Sequence, residues 1–137
     1  MNINMIKFSK HTDKYGKLVP VEGNDSVPFE IKRVYYIYDV EKDVRRGFHS
    51  HVDLEQVLIC VSGSVRILVK TPQEEETVTL QDPQEGLYIG PMIWREMFDF
   101  SEDAVLLVLA SDHYKVKDYI REYPVYEEMA KKYYAGE

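Results

Sequence analysis

Two histidines one residue apart, in Gly47-Phe48-His49-Ser50-His51-Val52-Asp53-Leu54-Glu55-Gln56, are the side chains of this chain best suited to chemistry. Alternate side chains of a β-strand share a face, so His49 and His51 project together, roughly 7 Å apart. Two imidazoles so placed are half of a metal site, which needs a Glu a few residues on and a third His from a distant strand. The distant block is Gly86-Leu87-Tyr88-Ile89-Gly90-Pro91-Met92-Ile93-Trp94-Arg95, and Arg95 stands where that histidine would be. A guanidinium stays protonated and has no lone pair for a metal. The other histidines, His11 and His113, fall in a turn and just after the last expected strand. Only Glu55 remains as a third ligand, and we expect neither a metal nor a cofactor.

Without a metal, the imidazoles are free to act as acids and bases, because they titrate near neutral pH. Arg95 then becomes an electrostatic partner for an anion or a developing enolate oxygen. The plainer alternative is an ion pair with Glu96 or Asp99 on the rim. Arg33 and Tyr35 share a strand face with Ile37, and Arg45 and Arg46 precede the histidine strand. Two or three arginines converging on a cavity mouth would clamp a diphosphate bidentately.

The elements that must hold these residues read as β. Short apolar or alternating runs predict strands at Asn4–Phe8, Lys17–Glu22, Lys32–Asp39, Gly47–His51, Gln56–Val61, Ser64–Lys70, Glu76–Leu80, Leu87–Ile89, Ile93–Phe98 and Ala104–Ser111. Turn signals such as Lys14-Tyr15-Gly16, Ser62-Gly63 and Asp82-Pro83 separate them. From Lys115 the period changes. Pro124 suits the first turn of a helix running to about Tyr134, with Val125, Met129 and Tyr133 on one stripe. The fold class is all-β, a jelly-roll barrel with a short C-terminal helical tail over 115–137. Residues 1–137 form one domain, and 1–27 are an arm that pairs with its own sheet or a partner's.

Composition removes several classes of function. The formal charge is −7, from 17 Lys and Arg against 24 Asp and Glu, and gives no basic field for a nucleic acid. The start, MNINMIKFSK, has no apolar leader, and no run approaches the roughly 20 residues of a membrane span. The single Cys60 lies in an apolar run and reads as a buried thiol. A chain without an internal disulfide fits a reducing cytoplasm. The count of 11 Tyr is high and suits the wall of a cavity for something both flat and polar.

Several segments together resemble the dTDP-4-dehydro-6-deoxy-D-glucose 3,4-ketoisomerases, a cupin family. They are Pro28-Phe29-Glu30-Ile31-Lys32-Arg33-Val34-Tyr35-Tyr36-Ile37, Arg46-Gly47-Phe48-His49-Ser50-His51, Glu55-Gln56-Val57-Leu58, Gly86-Leu87-Tyr88-Ile89-Gly90-Pro91, Leu107-Val108-Leu109-Ala110-Ser111 and Asp118-Tyr119-Ile120-Arg121. The resemblance runs along nearly the whole chain. It implies a cupin-type jelly-roll homodimer with exchanged N-terminal strands, no metal, and a dTDP-linked 4-keto-6-deoxy sugar as substrate. It implies that His49 and His51 line the site, with His51 the leading base. Arg33, Tyr35, Arg46 and Gln56 would contact nucleotide or sugar.

The family has galacto-product and gluco-product members. Galacto members are expected to carry Arg where this chain has Tyr15 and His where it has Arg95, so this chain resembles the gluco type. Moving the carbonyl from C4 to C3 removes the C3 proton and reprotonates C4 through an enediolate. One base can serve a galacto product from a single ring face. A gluco product needs its C4 proton from the other face, delivered by His49, Tyr15 or a bound water, with Arg95 or His49 stabilising the enediolate.

Overall fold

The computed structural model describes residues 1–136. Glu137, the last residue of the expected tail, lies outside the described residues. The strands are β1 (Ile3–Lys7), β2 (His11–Asp13), β3 (Gly16–Leu18), β4 (Arg33–Tyr38), β5 (Arg46–His51) and β6 (Gln56–Ser62). They continue with β7 (Val65–Lys70), β8 (Glu75–Leu80), β9 (Glu85–Ile89), β10 (Trp94–Phe98), β11 (Val105–Ala110) and β12 (Tyr119–Ile120). A helix, α1 (Tyr123–Tyr134), closes the chain.

Two five-stranded sheets, ordered β1-β9-β6-β11-β4 and β12-β5-β10-β7-β8, face each other, and β2-β3 forms a separate hairpin. All pairings between these strands are antiparallel. This is the expected jelly-roll barrel. Leu58, Cys60, Ile67, Val69, Leu87, Ile89, Met97, Leu106 and Val108 fill the space between the sheets. On β6 the intervening residues Val57 and Ile59 are buried as well, because Phe8, Val27 and Phe29 of the N-terminal region cover the outer face. Burial on both faces is why β6 reads as a continuous apolar run rather than an alternation.

Three local expectations need correction. The Lys17–Glu22 strand stops at Leu18, and its partner His11–Asp13 carries no apolar alternation to announce it. The tail over 115–137 is helical only in part: Val116–Asp118 is a short 3-10 turn, and Tyr119–Ile120 is a strand on β5. On α1 the buried stripe is Tyr126 and Ala130, whereas Val125, Met129 and Tyr133 face outward. Tyr126 and Ala130 pack against Met92, Trp94 and Ile120, and the Tyr126 hydroxyl shares its one proton between Lys70 O and Met92 O.

In this chain β1 lies in register on its own β9, from Ile3 opposite Ile89 to Lys7 opposite Glu85. Among the described residues the β2-β3 hairpin pairs with no further strand. The outer face of the edge strand β4 shows Val34, Tyr36 and Tyr38 to solvent. Among the described residues no helix is long and apolar enough to cross a membrane.

Candidate active site

The histidine strand β5 is bent into place by a bulge. Arg95 and Glu96 of β10 are adjacent, yet they pair with His49 and Gly47, so Phe48 is the extra residue. Gly47 sits at φ 96° and Phe48 at φ 51°. A left-handed backbone is unusual for a bulky aromatic residue and marks a locally strained turn that re-aims the next side chains of the strand. A Cβ on Gly47 would lie 3.2 Å from the Arg95 carbonyl, so the close approach of the two strands requires glycine there. Past the bulge, His49 faces inward beside Arg95.

His49 and His51 meet edge to face, with ring centroids 5.0 Å apart. Tyr119, which β12 lays directly opposite His51, packs against both rings at 5.2 Å and 4.4 Å. Arg95 is fully buried. It makes neither of the rim ion pairs weighed for it, since Glu96 pairs with Arg45 and Asp99 with Arg66. Its Nη1 donates to Gln56 Oε1 at 2.7 Å, and its Nη2 to Ile93 O at 2.9 Å. Gln56 Nε2 in turn donates to the Tyr35 hydroxyl at 3.1 Å. The Arg33 guanidinium lies over the Tyr35 ring at 4.6 Å. Four buried side-chain atoms have no partner within the described protein: Ser50 Oγ, whose side chain alternates to the other face of β5, and His49 Nε2, His51 Nε2 and Arg95 Nε. Buried polar atoms are normally satisfied, so three together in one interior point to a ligand's place.

A cavity of about 520 Å³ reaches this cluster at Arg33, His51 and Tyr119, with Glu55, Lys115 and Lys117 also among its walls; Tyr35, His49, Gln56 and Arg95 are not on its wall. Its volume suits a small ligand. Two expected contacts are not brought together with the rest. Tyr15 is 85% exposed at the hairpin tip. Arg46 is exposed near the start of β5 and is not on the cavity wall. Asp118 and Tyr119 were missed as functional residues, although Asp118-Tyr119-Ile120-Arg121 is among the segments carrying the family resemblance. Asp118 Oδ2 lies 3.0 Å from His51 Nδ1.

Burial, and behind it the Arg95 charge, pushes His49 down to about 4. The same two causes hold His51 still further below the ordinary histidine value. Burial lowers Arg95 only to about 10, so it remains a cation at neutral pH beside two neutral imidazoles. Burial raises Tyr35, which therefore stays a phenol.

This pattern makes a stability prediction. The unfolded chain takes up the His49 proton below roughly pH 6.5, and the folded chain only near 4. Stability from keeping His49 neutral is therefore complete above about pH 6.5. It falls, by up to roughly 1.4 kcal/mol per pH unit, as the pH drops towards 4. Urea midpoints between pH 7 and 5 should decline less steeply for His49→Gln than for the native chain. Equal slopes would show that His49 is not held neutral.

The family model described as "FdtA: WxcM-like, C-terminal" matches residues 1–131. A TDP-4-oxo-6-deoxy-alpha-D-glucose-3,4-oxoisomerase of Aneurinibacillus thermoaerophilus is 50% identical over 123 residues, covering 90% of this chain and 88% of that one. The sugar 3,4-ketoisomerase QdtA of Thermoanaerobacterium thermosaccharolyticum, solved with TDP, is 58% identical and superposes with a TM-score of 0.95 over 97% of both chains. That enzyme was also solved as a His-to-Asn variant with TDP-4-keto-6-deoxyglucose, and as a Tyr-to-Arg, Arg-to-His double variant with TDP. The TDP-quinovose 3,4-ketoisomerase WlaRB of Campylobacter jejuni is 46% identical, with a TM-score of 0.89 over 93% of this chain and 98% of that one. A histidine pair beside a buried arginine, on a barrel matched along nearly its whole length, places the chain in the TDP-sugar 3,4-ketoisomerase family.

Proposed function

We propose that the chain converts dTDP-4-dehydro-6-deoxy-D-glucose to dTDP-3-dehydro-6-deoxy-D-glucose, a step towards dTDP-3-amino-3,6-dideoxy sugars. The observation that carries this reading is the pair of unpartnered Nε2 atoms, on His49 and His51, beside the buried Arg95 cation. A base takes the C3 proton, and the C–H electrons flow into the C4 carbonyl to give an enediolate. Arg95 stabilises that negative oxygen through space in a water-poor interior. Collapse from O3 then forms the C3 carbonyl as C4 receives a proton.

The histidines divide the work by position. The Tyr and Arg exchanged in the QdtA double variant are spaced as Tyr15 and Arg95 are here, each at an offset of two. The same offset puts the histidine of the substrate-bound variant on His49. This supports His49, rather than His51, as the base at C3. The reaction also removes a proton from O3 and adds one to O4. His51, neutral and on the cavity wall, is placed to carry it. A gluco product needs its C4 proton from the other face. Tyr35 accepts from Gln56 and remains a phenol, so its own proton is free to be given.

The chain works as a cytoplasmic homodimer with exchanged N-terminal strands. Exchange swaps identical elements, so a partner's β1 would fill the same register on β9. The exposed Val34, Tyr36 and Tyr38 supply apolar surface for such contact, and in that dimer the exposed Tyr15 would reach the second barrel. Arg46, exposed at the strand start, would meet substrate only with that partner in place.

The decisive experiment incubates the protein with dTDP-4-dehydro-6-deoxy-D-glucose in deuterated water and identifies the product by NMR. A gluco-configured 3-keto sugar carrying deuterium at C4 is expected. Unchanged substrate after prolonged incubation would leave only a sugar-nucleotide-binding barrel, and a galacto product would overturn the stereochemical assignment.

A further inference from the structure

Asp118 comes from a part of the chain with no periodic signal, yet each of its acceptors is committed. Oδ2 lies 3.0 Å from His51 Nδ1. Oδ1 accepts the Asp53 backbone N–H at 2.9 Å. The Asp118 carbonyl accepts the Val52 N–H at 3.0 Å, and its own N–H donates to Lys115 O at 3.1 Å. The carboxylate is thus fixed from both sides against the residues just after β5. His51 itself is completely buried, and its Nε2 has no partner.

We infer that Asp118 is a positioning residue that keeps the His51 proton on Nδ1, so that Nε2 faces the cavity as a bare acceptor. A carboxylate offers only acceptors, so the nitrogen facing it must be the N–H. A neutral imidazole carries one N–H, and the remaining nitrogen keeps its lone pair. Taking a proton from a sugar hydroxyl requires that lone pair on the cavity side. The opposite tautomer would aim an N–H at the substrate and could only donate.

The second contact of Asp118 makes the requirement strict. In Asp118→Asn the amide has one carbonyl and one NH2 group. The Asp53 N–H, fixed by the backbone, can be met only by the carbonyl. The NH2 then turns towards His51 Nδ1, which must accept, and the imidazole proton moves to Nε2. Asp118→Ala removes the constraint without imposing the wrong tautomer. Asparagine, the closer match in shape, is therefore expected to be the more damaging replacement. A merely structural role would give the reverse order.

The inference rests on the reading of His51 as a proton carrier, but its first readout does not. The chain has four histidines, so long-range proton–nitrogen NMR of histidine-labelled protein at pH 7 is tractable, with His51→Asn identifying the resonance. The native protein should show His51 protonated at Nδ1, and Asp118→Asn should show it protonated at Nε2. Turnover should fall about 10²–10⁴-fold in Asp118→Asn and less in Asp118→Ala, with KM for the sugar nucleotide nearly unchanged in both. Protonation at Nε2 in the native protein, or no change of tautomer in Asp118→Asn, overturns the inference. An inverted tautomer with full turnover would leave Asp118's hold on His51 standing and remove His51 from the proton chemistry.

Discussion

Replacing His49 by asparagine is expected to lower kcat by about 10²–10⁴-fold while leaving affinity for TDP nearly unchanged, the range that a general base typically supplies. The side chain sits opposite Arg95 and in edge contact with His51, and it is not on the cavity wall. Asparagine preserves polarity but cannot take a carbon-bound proton near neutral pH. Binding should persist, because Arg33 and the lysines of the cavity wall are untouched. The measurement is a turnover assay beside a titration with TDP, with urea unfolding to show that the fold survives. Near-normal turnover in His49→Asn, with a large loss in His51→Asn, would return the base to His51. The deuterium label refines this. His49→Asn should also abolish exchange of the C3 proton, since no other neutral group is proposed to reach it.

The sequence exposed the barrel because alternation and turn residues are local signals, and two histidines at i and i+2 on a strand need no further context to share a face. Arg95 was legible by its position in the second block. Its burial was not, because nothing local says that Gln56, on β6, would be its hydrogen-bond partner. The bulge at Phe48 was hidden for a similar reason. A left-handed aromatic residue is a tertiary compromise, not a propensity. Asp118 and Tyr119 were the deepest omission. They enter through a two-residue strand, too short to carry a period, and they act only once β12 lies on β5. Helix α1 was foreseen in extent, but the stripe it buries is Tyr126 and Ala130, chosen by the Met92, Trp94 and Ile120 cluster across the fold, which nothing local announces.

The double replacement Tyr15→Arg with Arg95→His should move the product from gluco towards galacto, by tenfold or more in product ratio. A tenfold shift needs only about 1.4 kcal/mol between two protonation barriers. The structure supplies a reason for so large a response. Arg95 is a fully buried cation whose Nη1 supports Gln56 at 2.7 Å, and Gln56 supports the Tyr35 hydroxyl at 3.1 Å. Histidine in its place withdraws the fixed charge, loosens the Gln56–Tyr35 link to the proposed opposite-face donor, and adds a third imidazole beside His49 and His51. It also removes the second cause of the lowered His49 and His51 values, so both would hold protons more readily and return one to the face it came from. In the proposed exchanged dimer, arginine at position 15 would restore a cation where the arm reaches the neighbouring barrel. Each single change should therefore shift the ratio less than the pair, because one alters the charge balance and the other corrects it. Product NMR at early conversion reads the ratio directly. Unchanged gluco product from the folded, active double variant would mean that the face of protonation is set elsewhere in the barrel, and the assignment of Tyr35 as donor would fall with it.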